Sequence, residues 1–169
     1  MQCTLRPWRL EDLAALSVAL NNKNVQDFLR DGLPLPYTVR DAEDYISAML
    51  AVGGNTTFAY AIVVQEQVVG SIGVFRKENI HFRTAEIGYY LAETHWGMGI
   101  GTSALMQACD TIFATTDILR IFAEPFAENA ASCRILEKAG FVVEGIMRQN
   151  AVKNGNVLDM KLYAKIKTI

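Results

Sequence analysis

The chain has 169 residues, of which 51% are hydrophobic, and its formal net charge is −2 at pH 7. This length suits a single domain, residues 1–169, with a core of good size. A nearly neutral chain without a basic stripe gives no indication of nucleic-acid binding, and no apolar run reaches membrane-spanning length. The first residues also lack the apolar stretch of a signal peptide, so we expect a cytoplasmic protein that does not associate with membranes.

The three cysteines are Cys3, Cys109 and Cys133. Their odd number and scattered positions fit neither a disulfide framework nor a zinc-binding pattern. Cys109 falls on the apolar face of a predicted helix, where a core position is expected. The sequence therefore predicts no metal site.

The N-terminal quarter predicts one strand and three helices. A short strand covers residues 3–6, and a helix follows whose apolar side comprises Leu13, Leu16, Val18 and Leu20. A second, short helix is predicted to carry Val25, Phe28 and Leu29. Thr38 with Asp41 then forms a variant capping box that opens a third helix, ending near Val52.

The loop between the second and third helices runs from Arg30 to Tyr37 and contains two prolines, which exclude a regular helix. Loops on rigid scaffolds often form binding sites. We therefore expect Arg30 and an exposed Tyr37 to wall a substrate pocket, although a purely structural role is the alternative.

The middle of the chain predicts an antiparallel meander. Residues 57–64 and 68–75 form a hairpin around Glu66-Gln67, and a charged connection leads to a strand over residues 85–92. Residues 119–125 predict a strand parallel to that one, because a helix crosses over between them. A helix over 130–139 and a hairpin with an Asn154-Gly155 turn follow.

These elements give an α/β (α+β) fold with a mixed, mostly antiparallel sheet of about seven strands flanked by helices. Its one parallel step lies at residues 85–92 and 119–125. Ligands bind such sheets where neighbouring strands part at their carboxyl ends. Here that place lies between Leu91-Ala92 and Glu124-Pro125.

A glycine-rich turn joins the 85–92 strand to the helix after it, with Gly97, Gly99 and Gly101 on alternate positions. Glycine permits close approach of the backbone, and the first N–H groups of a helix favour negative charge. The turn lacks the Lys-Ser/Thr ending of a P-loop and the later acidic residue of a dinucleotide fold. We favour a phosphate cradle built from backbone amides over a plain strand–helix connection.

Several ordered segments resemble the GNAT superfamily of acyl-CoA-dependent N-acetyltransferases, and in particular its ribosomal-protein-alanine acetyltransferase branch. They are Leu5-Arg6-Pro7-Trp8, Gly88-Tyr89-Tyr90-Leu91, Trp96-Gly97-Met98-Gly99-Ile100-Gly101, Asn129-Ala130-Ala131-Ser132, Leu136-Glu137-Lys138-Ala139-Gly140-Phe141 and Glu144-Gly145 with Asp159 and Tyr163. The resemblance spans nearly the whole chain.

The resemblance implies acetyl-CoA as cosubstrate. The amides of Trp96, Gly97, Met98, Gly99, Ile100, Gly101 and Thr102 would hold its pyrophosphate. Tyr90 and Leu91 would pair with the pantetheine arm, and an N–H near Leu91 would polarise the thioester carbonyl. Asn129 would hydrogen-bond the pantetheine, cap its helix, or do both.

The substrate ammonium must lose a proton before its nitrogen can attack, and a carboxylate is the usual acceptor. Glu86 and Glu124 each match a base position of some GNAT enzymes, and the sequence does not decide between them. The base position of one subgroup of this branch falls on Ala151, which cannot take a proton. That departure bears on the substrate rather than on the reaction.

The departing thiolate needs a hydrogen-bond donor. The tyrosine that many GNAT enzymes use is Leu136 here, whereas Ser132 matches the serine of this branch. Cys133 could suggest a covalent acyl-enzyme, but no base partner is evident, so direct transfer is expected. His95 adjoins the cradle, and a surface histidine is the expectation for it.

The resemblance thus predicts an acetyl-CoA-dependent N-acetyltransferase acting on a primary amine, such as a protein N-terminus. Amino sugars, polyamines and antibiotic amines are alternative acceptors, and a CoA-binding module without turnover is an alternative of another class. A homodimer is left open.

Overall fold

The structure, a computed structural model, describes residues 2–168. Within these residues a seven-stranded sheet has the order β1-β2-β3-β4-β5-β7-β6. All neighbours are antiparallel except β4 and β5. The strands are β1 (Thr4–Pro7), β2 (Thr57–Val64), β3 (Gln67–Arg76), β4 (Thr84–Leu91), β5 (Arg120–Ala123), β6 (Val142–Lys153) and β7 (Asn156–Ile166). The predicted mixed sheet with one parallel step is confirmed.

Five α-helices flank the sheet in the described part of the chain. They are α1 (Leu13–Leu20), α2 (Lys23–Gln26), α3 (Val39–Ala51), α4 (Ile100–Thr115) and α5 (Ala130–Lys138). The predicted capping box of α3 is present, because Thr38 Oγ1 accepts from the Asp41 N–H while the Asp41 carboxylate accepts from the Thr38 N–H. Reciprocal capping of this kind fixes where a helix begins.

The two faces of the sheet bury separate apolar clusters. The larger cluster joins β3, β4 and β5 to α4 and α5, and it includes Leu105, Ile121 and Leu136. The smaller cluster lies under α1 and α3, with Trp8 and Ile46 among its members. Side chains alternate along a strand, so successive residues of β4 face the two clusters in turn.

Two hairpins turn where the sequence places them. Gln65 and Glu66 connect β2 to β3 with positive φ at both residues, and Asn154-Gly155 does the same between β6 and β7. Two central residues with φ > 0 are typical of the type I′ turn that suits twisted hairpins. The first turn lies one residue earlier than the predicted Glu66-Gln67.

Three N-terminal expectations are wrong. Val18 is 76% exposed, because Leu13, Leu16 and Leu20 line one face of α1 and Val18 falls on the other. The second helix ends at Gln26, before Phe28 and Leu29.

The third error is Tyr37, which is 4% exposed rather than a pocket wall. Its ring packs in the smaller cluster, and its N–H donates to Asn21 Oδ1 at 3.1 Å. Burial raises its pKa to about 12. Burial of this large aromatic side chain lowers the free energy of folding by more than it costs to hold the loop against the core.

Candidate active site

Strands β4 and β5 pair over only three residues and then part. The register runs from Thr84↔Arg120 to Glu86↔Phe122, and β4 continues to Leu91 without a partner on that edge. On its other edge β4 remains paired with β3 as far as Gly70↔Leu91. We call the unpaired edge of β4 at Tyr89–Leu91 the open seam.

The peptide groups that face the open seam belong to Tyr89 and Leu91. The Ala92 N–H donates to the Val69 carbonyl at 2.8 Å, so this pair is hydrogen-bonded in the β3–β4 ladder. Hydrogen-bonded and non-bonded pairs alternate along an antiparallel ladder. The peptide groups of Leu91 and Tyr89 therefore point away from β3, whereas those of Tyr90 point toward it.

The glycine turn, residues 96–102, lies directly beyond the seam. Gly97 and Gly99 have φ of 74° and 76°, a conformation that costs other residues free energy. The first hydrogen bond at the start of α4 runs from the Ser103 N–H to the Gly99 carbonyl at 3.1 Å. The N–H groups of Ile100, Gly101 and Thr102 precede it, as in any helix start that can receive an anion.

Trp96 anchors the turn to the seam. Its indole N–H donates to the Leu91 carbonyl at 2.9 Å, and its own backbone N–H donates to the Glu93 carbonyl at 3.1 Å. The backbone N–H of Trp96 is therefore already hydrogen-bonded within the protein. The N–H groups predicted to hold a phosphate are then those of the residues that follow Trp96.

Gly101 allows α4 to approach α5. A Cβ at this position would lie 3.0 Å from Ile135 Cδ1 and 3.7 Å from Leu91 Cδ1. The close approach brings the start of α5 beside the end of β4. There Asn129 caps α5, with its Oδ1 accepting from the Ser132 N–H at 3.1 Å.

Ser132 contacts Tyr89 of the open seam. Ser132 Oγ lies 2.8 Å from the Tyr89 hydroxyl oxygen, across the cleft between α5 and β4. Burial raises the pKa of Tyr89 to about 12, and the hydrogen bond with Ser132 opposes this only in part. Tyr89 is a residue that sequence reasoning missed, since no spacing rule links it to a partner 43 positions away.

The two candidate bases share one ion-pair network. Glu86 pairs with Arg30 and, at 2.8 Å, with Lys77, and only 15% of its side chain is exposed. Within residues 2–168 the ion-pair partner of Glu124 is Arg30, at 3.4 Å, and the Glu124 side chain is 26% exposed. Glu86 is thus occupied by two cations, whereas Glu124 keeps lone pairs available for a ligand.

Residues 2–142 match the family described as the acetyltransferase (GNAT) domain. The chain belongs to the GNAT acetyltransferase family. The match covers the sheet as far as the start of β6, including the open seam and the glycine turn.

Two curated relatives and one solved structure illustrate the range of the family. The ribosomal-protein-serine acetyltransferase of Escherichia coli is 29% identical over 146 residues, covering 82% of this chain and 79% of that protein. The spermidine N(1)-acetyltransferase of Vibrio cholerae is 26% identical, with coverages of 95% and 90%. Mycobacterium smegmatis RimJ in complex with CoA-disulfide is 27% identical, with a TM-score of 0.86 and coverages of 96% and 80%.

This GNAT enzyme uses acetyl-CoA, the acetyl donor of its family. The residues present suit that cosubstrate, because the turn combines two positive-φ glycines with a helix start. No cluster of three or more His, Cys, Asp or Glu within residues 2–168 could hold a metal ion. In the same part of the chain, no helix is both long and apolar enough to span a bilayer.

A cavity of about 290 Å³ adjoins Glu124 in this GNAT enzyme. Its charged side chains are two cations and two anions, and Phe126 and Met160 supply apolar surface. The four charged residues are Arg30, Asp31, Glu124 and Lys153. Lys153 Nζ lies 2.8 Å from the Asp31 carboxylate, which ties the loop before α3 to the β6–β7 hairpin. We call this space the charged cavity.

The structure brings most of the predicted site residues to one cleft. Leu91, the glycine turn, Asn129 and Ser132 surround the seam, and Glu124 borders the charged cavity. Tyr90 lies elsewhere, because its side chain faces the smaller cluster and its hydroxyl is buried there. Ala151 lines the charged cavity without supplying a proton acceptor. The roles of all these residues stay predictions.

Proposed function

We propose that this enzyme transfers the acetyl group of acetyl-CoA directly to a primary amine, and that the amine is a protein N-terminus. The observation that carries the proposal is the open seam, with the glycine turn at one end and Glu124 in the neighbouring cavity. A thioester held along the seam would present its carbonyl carbon to an amine in the charged cavity. Such placement accounts for much of the rate of an acyl transfer.

Each element of the cleft has a chemical role in this proposal. The N–H groups of residues after Trp96 hold the diphosphate, and the Leu91 N–H donates to the thioester oxygen as charge develops on it. Glu124 takes the proton of the substrate ammonium. The nitrogen then forms the C–N bond and releases its second proton to solvent, the C–S bond breaks, and sulfur leaves as a thiolate with the bonding electron pair near Ser132.

Direct attack on the thioester is supported by the position of Cys133. Its side chain belongs to the larger core cluster and is 5% exposed. A nucleophilic cysteine needs access to the substrate and a group that lowers its pKa. A core position provides little access, so an acyl-enzyme on Cys133 is disfavoured.

The charge balance of the cavity supports a peptide acceptor over a polyamine. Two cations face two anions there, with an amide from Asn150 and apolar surface beside them. A polyamine would require a surplus of anions, since each added ammonium needs a partner. A peptide N-terminus brings one ammonium followed by neutral amide groups, which this lining can match.

The experiment is an amine panel with CoA release as the readout. Peptides with free N-termini are compared with the same peptides blocked at the N-terminus, and with spermidine and glucosamine. Release with free peptides alone, with one acetyl group found on the product, is the expected result. A preference for spermidine or an amino sugar would overturn the peptide assignment, and acetyl-CoA binding without release from any amine would overturn the proposed turnover.

A further inference from the structure

Tyr89 has a hydroxyl in the cleft that the proposed steps above leave without a role. Its backbone faces the open seam, and its side chain lies on the α4–α5 face of the sheet, against the larger cluster. The hydroxyl oxygen lies 2.8 Å from Ser132 Oγ and 3.4 Å from the Ser132 carbonyl oxygen. Both neighbours belong to the residue proposed to face the leaving sulfur.

We propose that Tyr89 is a positioning residue, which donates its hydrogen bond to Ser132 and leaves the Ser132 O–H directed at the departing sulfur. This inference rests on the proposed function. Tyr89 has one hydrogen to donate, and of its two neighbours on Ser132 the Oγ, at 2.8 Å, lies nearer than the carbonyl oxygen, at 3.4 Å, which favours donation to Oγ. With Tyr89 as donor, the hydrogen of Ser132 remains available for another acceptor.

The order of proton affinities supports donation without net proton transfer. Burial raises the pKa of Tyr89 to about 12, so its hydroxyl stays protonated through neutral and mildly alkaline pH. A thiol has a pKa of about 8.5, so a departing thiolate is too weak a base to remove the tyrosine proton. Sulfur therefore leaves as a thiolate stabilised by the Ser132 O–H and takes its proton from solvent afterwards.

The N-cap residue of α5, Asn129, holds the backbone of Ser132. Asn129 Oδ1 accepts from the Ser132 N–H at 3.1 Å, which fixes the backbone from which Oγ projects. Tyr89 then selects the direction of the hydroxyl hydrogen. A donor that is already oriented stabilises the transition state more than the same donor free to rotate, because no reorganisation is needed as charge develops on the sulfur.

The test is a double-mutant cycle under single-turnover conditions. We expect Ser132→Ala to lower the rate about 10- to 100-fold and Tyr89→Phe about 5- to 20-fold, the range for a hydrogen bond to a charged group. Because Tyr89 acts through Ser132, the double variant should match Ser132→Ala alone. The control is Tyr60→Phe, which removes a half-buried hydroxyl on β2 and should leave the rate unchanged.

A binding measurement tests the same contact without turnover. At a pH above the thiol pKa, CoA carries a thiolate like the leaving group, whereas desulfo-CoA has no sulfur. We expect the wild type to prefer CoA by about 5- to 10-fold and Tyr89→Phe to lose most of that preference, as one charge-assisted hydrogen bond would give. Binding of desulfo-CoA should be the same for both proteins.

Three results would overturn the positioning role. They are a wild-type rate in Tyr89→Phe, losses that multiply in the double variant, and an unchanged preference for CoA over desulfo-CoA. A wild type that releases no CoA with any amine contradicts the proposed function instead, and the binding measurement still decides whether Tyr89 directs Ser132.

Discussion

The two sides of the cleft are built from different groups. On the side proposed for acetyl-CoA, the donors are peptide N–H groups of the open seam and the glycine turn, held by strand pairing and by a helix start. On the acceptor side, the lining includes four charged side chains from three separate segments. Peptide donors stay in place if the fold does, whereas a side chain can be exchanged without changing the fold. The comparison explains how one cofactor can serve relatives with different acceptors.

The largest effect should come from the base on the acceptor side. Glu124→Gln should lower kcat about 100- to 1,000-fold at pH 7, the usual contribution of a general base. Its rate should recover as pH rises past about 8, where an N-terminal amine becomes neutral on its own. The measurement is a pH–rate profile from CoA release.

Glu86→Gln is the matched comparison for that variant. Glu86 is held by Arg30 and Lys77 and is not proposed to take the proton, so we expect a loss below about 5-fold, from the loss of ion pairs to two partly exposed cations. A larger loss in Glu86→Gln than in Glu124→Gln, with recovery at high pH, would transfer the role of base to Glu86.

The next largest effect should come from the cradle on the cofactor side. Gly99→Val places a β-branched side chain at φ 76°, where it is strained, at the N-cap of α4. We expect acetyl-CoA binding, measured by calorimetry, to weaken at least about 50-fold, from strain and lost charge-assisted hydrogen bonds. Gly53→Val is the control, because a Cβ there meets open space at an ordinary φ. Equal affinities for the two variants would refute the amide cradle.

An ion pair at the β1 edge of the sheet, outside the charged cavity, should affect stability rather than chemistry. Arg6 Nη2 lies 2.7 Å from Asp12 Oδ1, and the Asp12 carboxylate also accepts from the Arg9 N–H. We expect Asp12→Asn to lower the free energy of unfolding by about 1–3 kcal/mol. Asp44→Asn on the exposed side of α3 is the control.

The pH dependence of stability provides a second check on that pair. The hydrogen bond from Arg6 lowers the pKa of Asp12 in the folded protein. A depressed folded pKa stabilises the protein above the unfolded value of about 4, and this contribution is lost as pH falls through the folded pKa. Acid unfolding of Asp12→Asn should therefore be less steep below pH 4. Superimposable acid-unfolding curves would contradict this account.

The smallest effect should come from Lys153 in the charged cavity. Lys153→Met removes the partner of Asp31 and should raise the KM for a peptide about 2- to 5-fold while kcat stays unchanged. The difference should shrink at high ionic strength, which screens exposed charges. Lys23→Met removes a Lys–Asp pair whose lysine is more exposed and lies outside the cavity, and it serves as control. A fall in kcat would instead place Lys153 close to the reacting atoms.

Local rules predicted the cofactor side better than the acceptor side. Alternate glycines after a buried strand indicate positive φ and a helix start, and the structure has both at Gly97 and Gly99. The Asn154-Gly155 turn follows from the same kind of rule. These features depend on a few neighbouring residues, so the sequence is sufficient to predict them.

The acceptor side depends on contacts between distant residues. Arg30 reaches Glu86 and Glu124, which are 56 and 94 positions away. Hydrophobic periodicity does not predict which distant residues form an ion pair. For a loop residue such as Tyr37, the sequence also does not predict whether the side chain is buried or exposed, because that depends on the packing of other segments. The sequence could not show that Glu86 pairs with two cations and Glu124 with one of these, and the assignment of the base stays a prediction.

The Trp96 indole has a consequence for the exposed edge of β4. An unpaired strand edge can recruit a strand of another molecule, because it offers donors and acceptors in turn. The indole uses one lone pair of the Leu91 carbonyl oxygen, so at that position the edge keeps its N–H and offers less acceptor capacity. A strand of another molecule needs alternating donors and acceptors and therefore pairs poorly with this edge. A ligand with a carbonyl oxygen can still accept a hydrogen bond from the Leu91 N–H. The Trp96 indole thus makes this edge a poorer match for a strand of another molecule, which needs acceptors as well as donors.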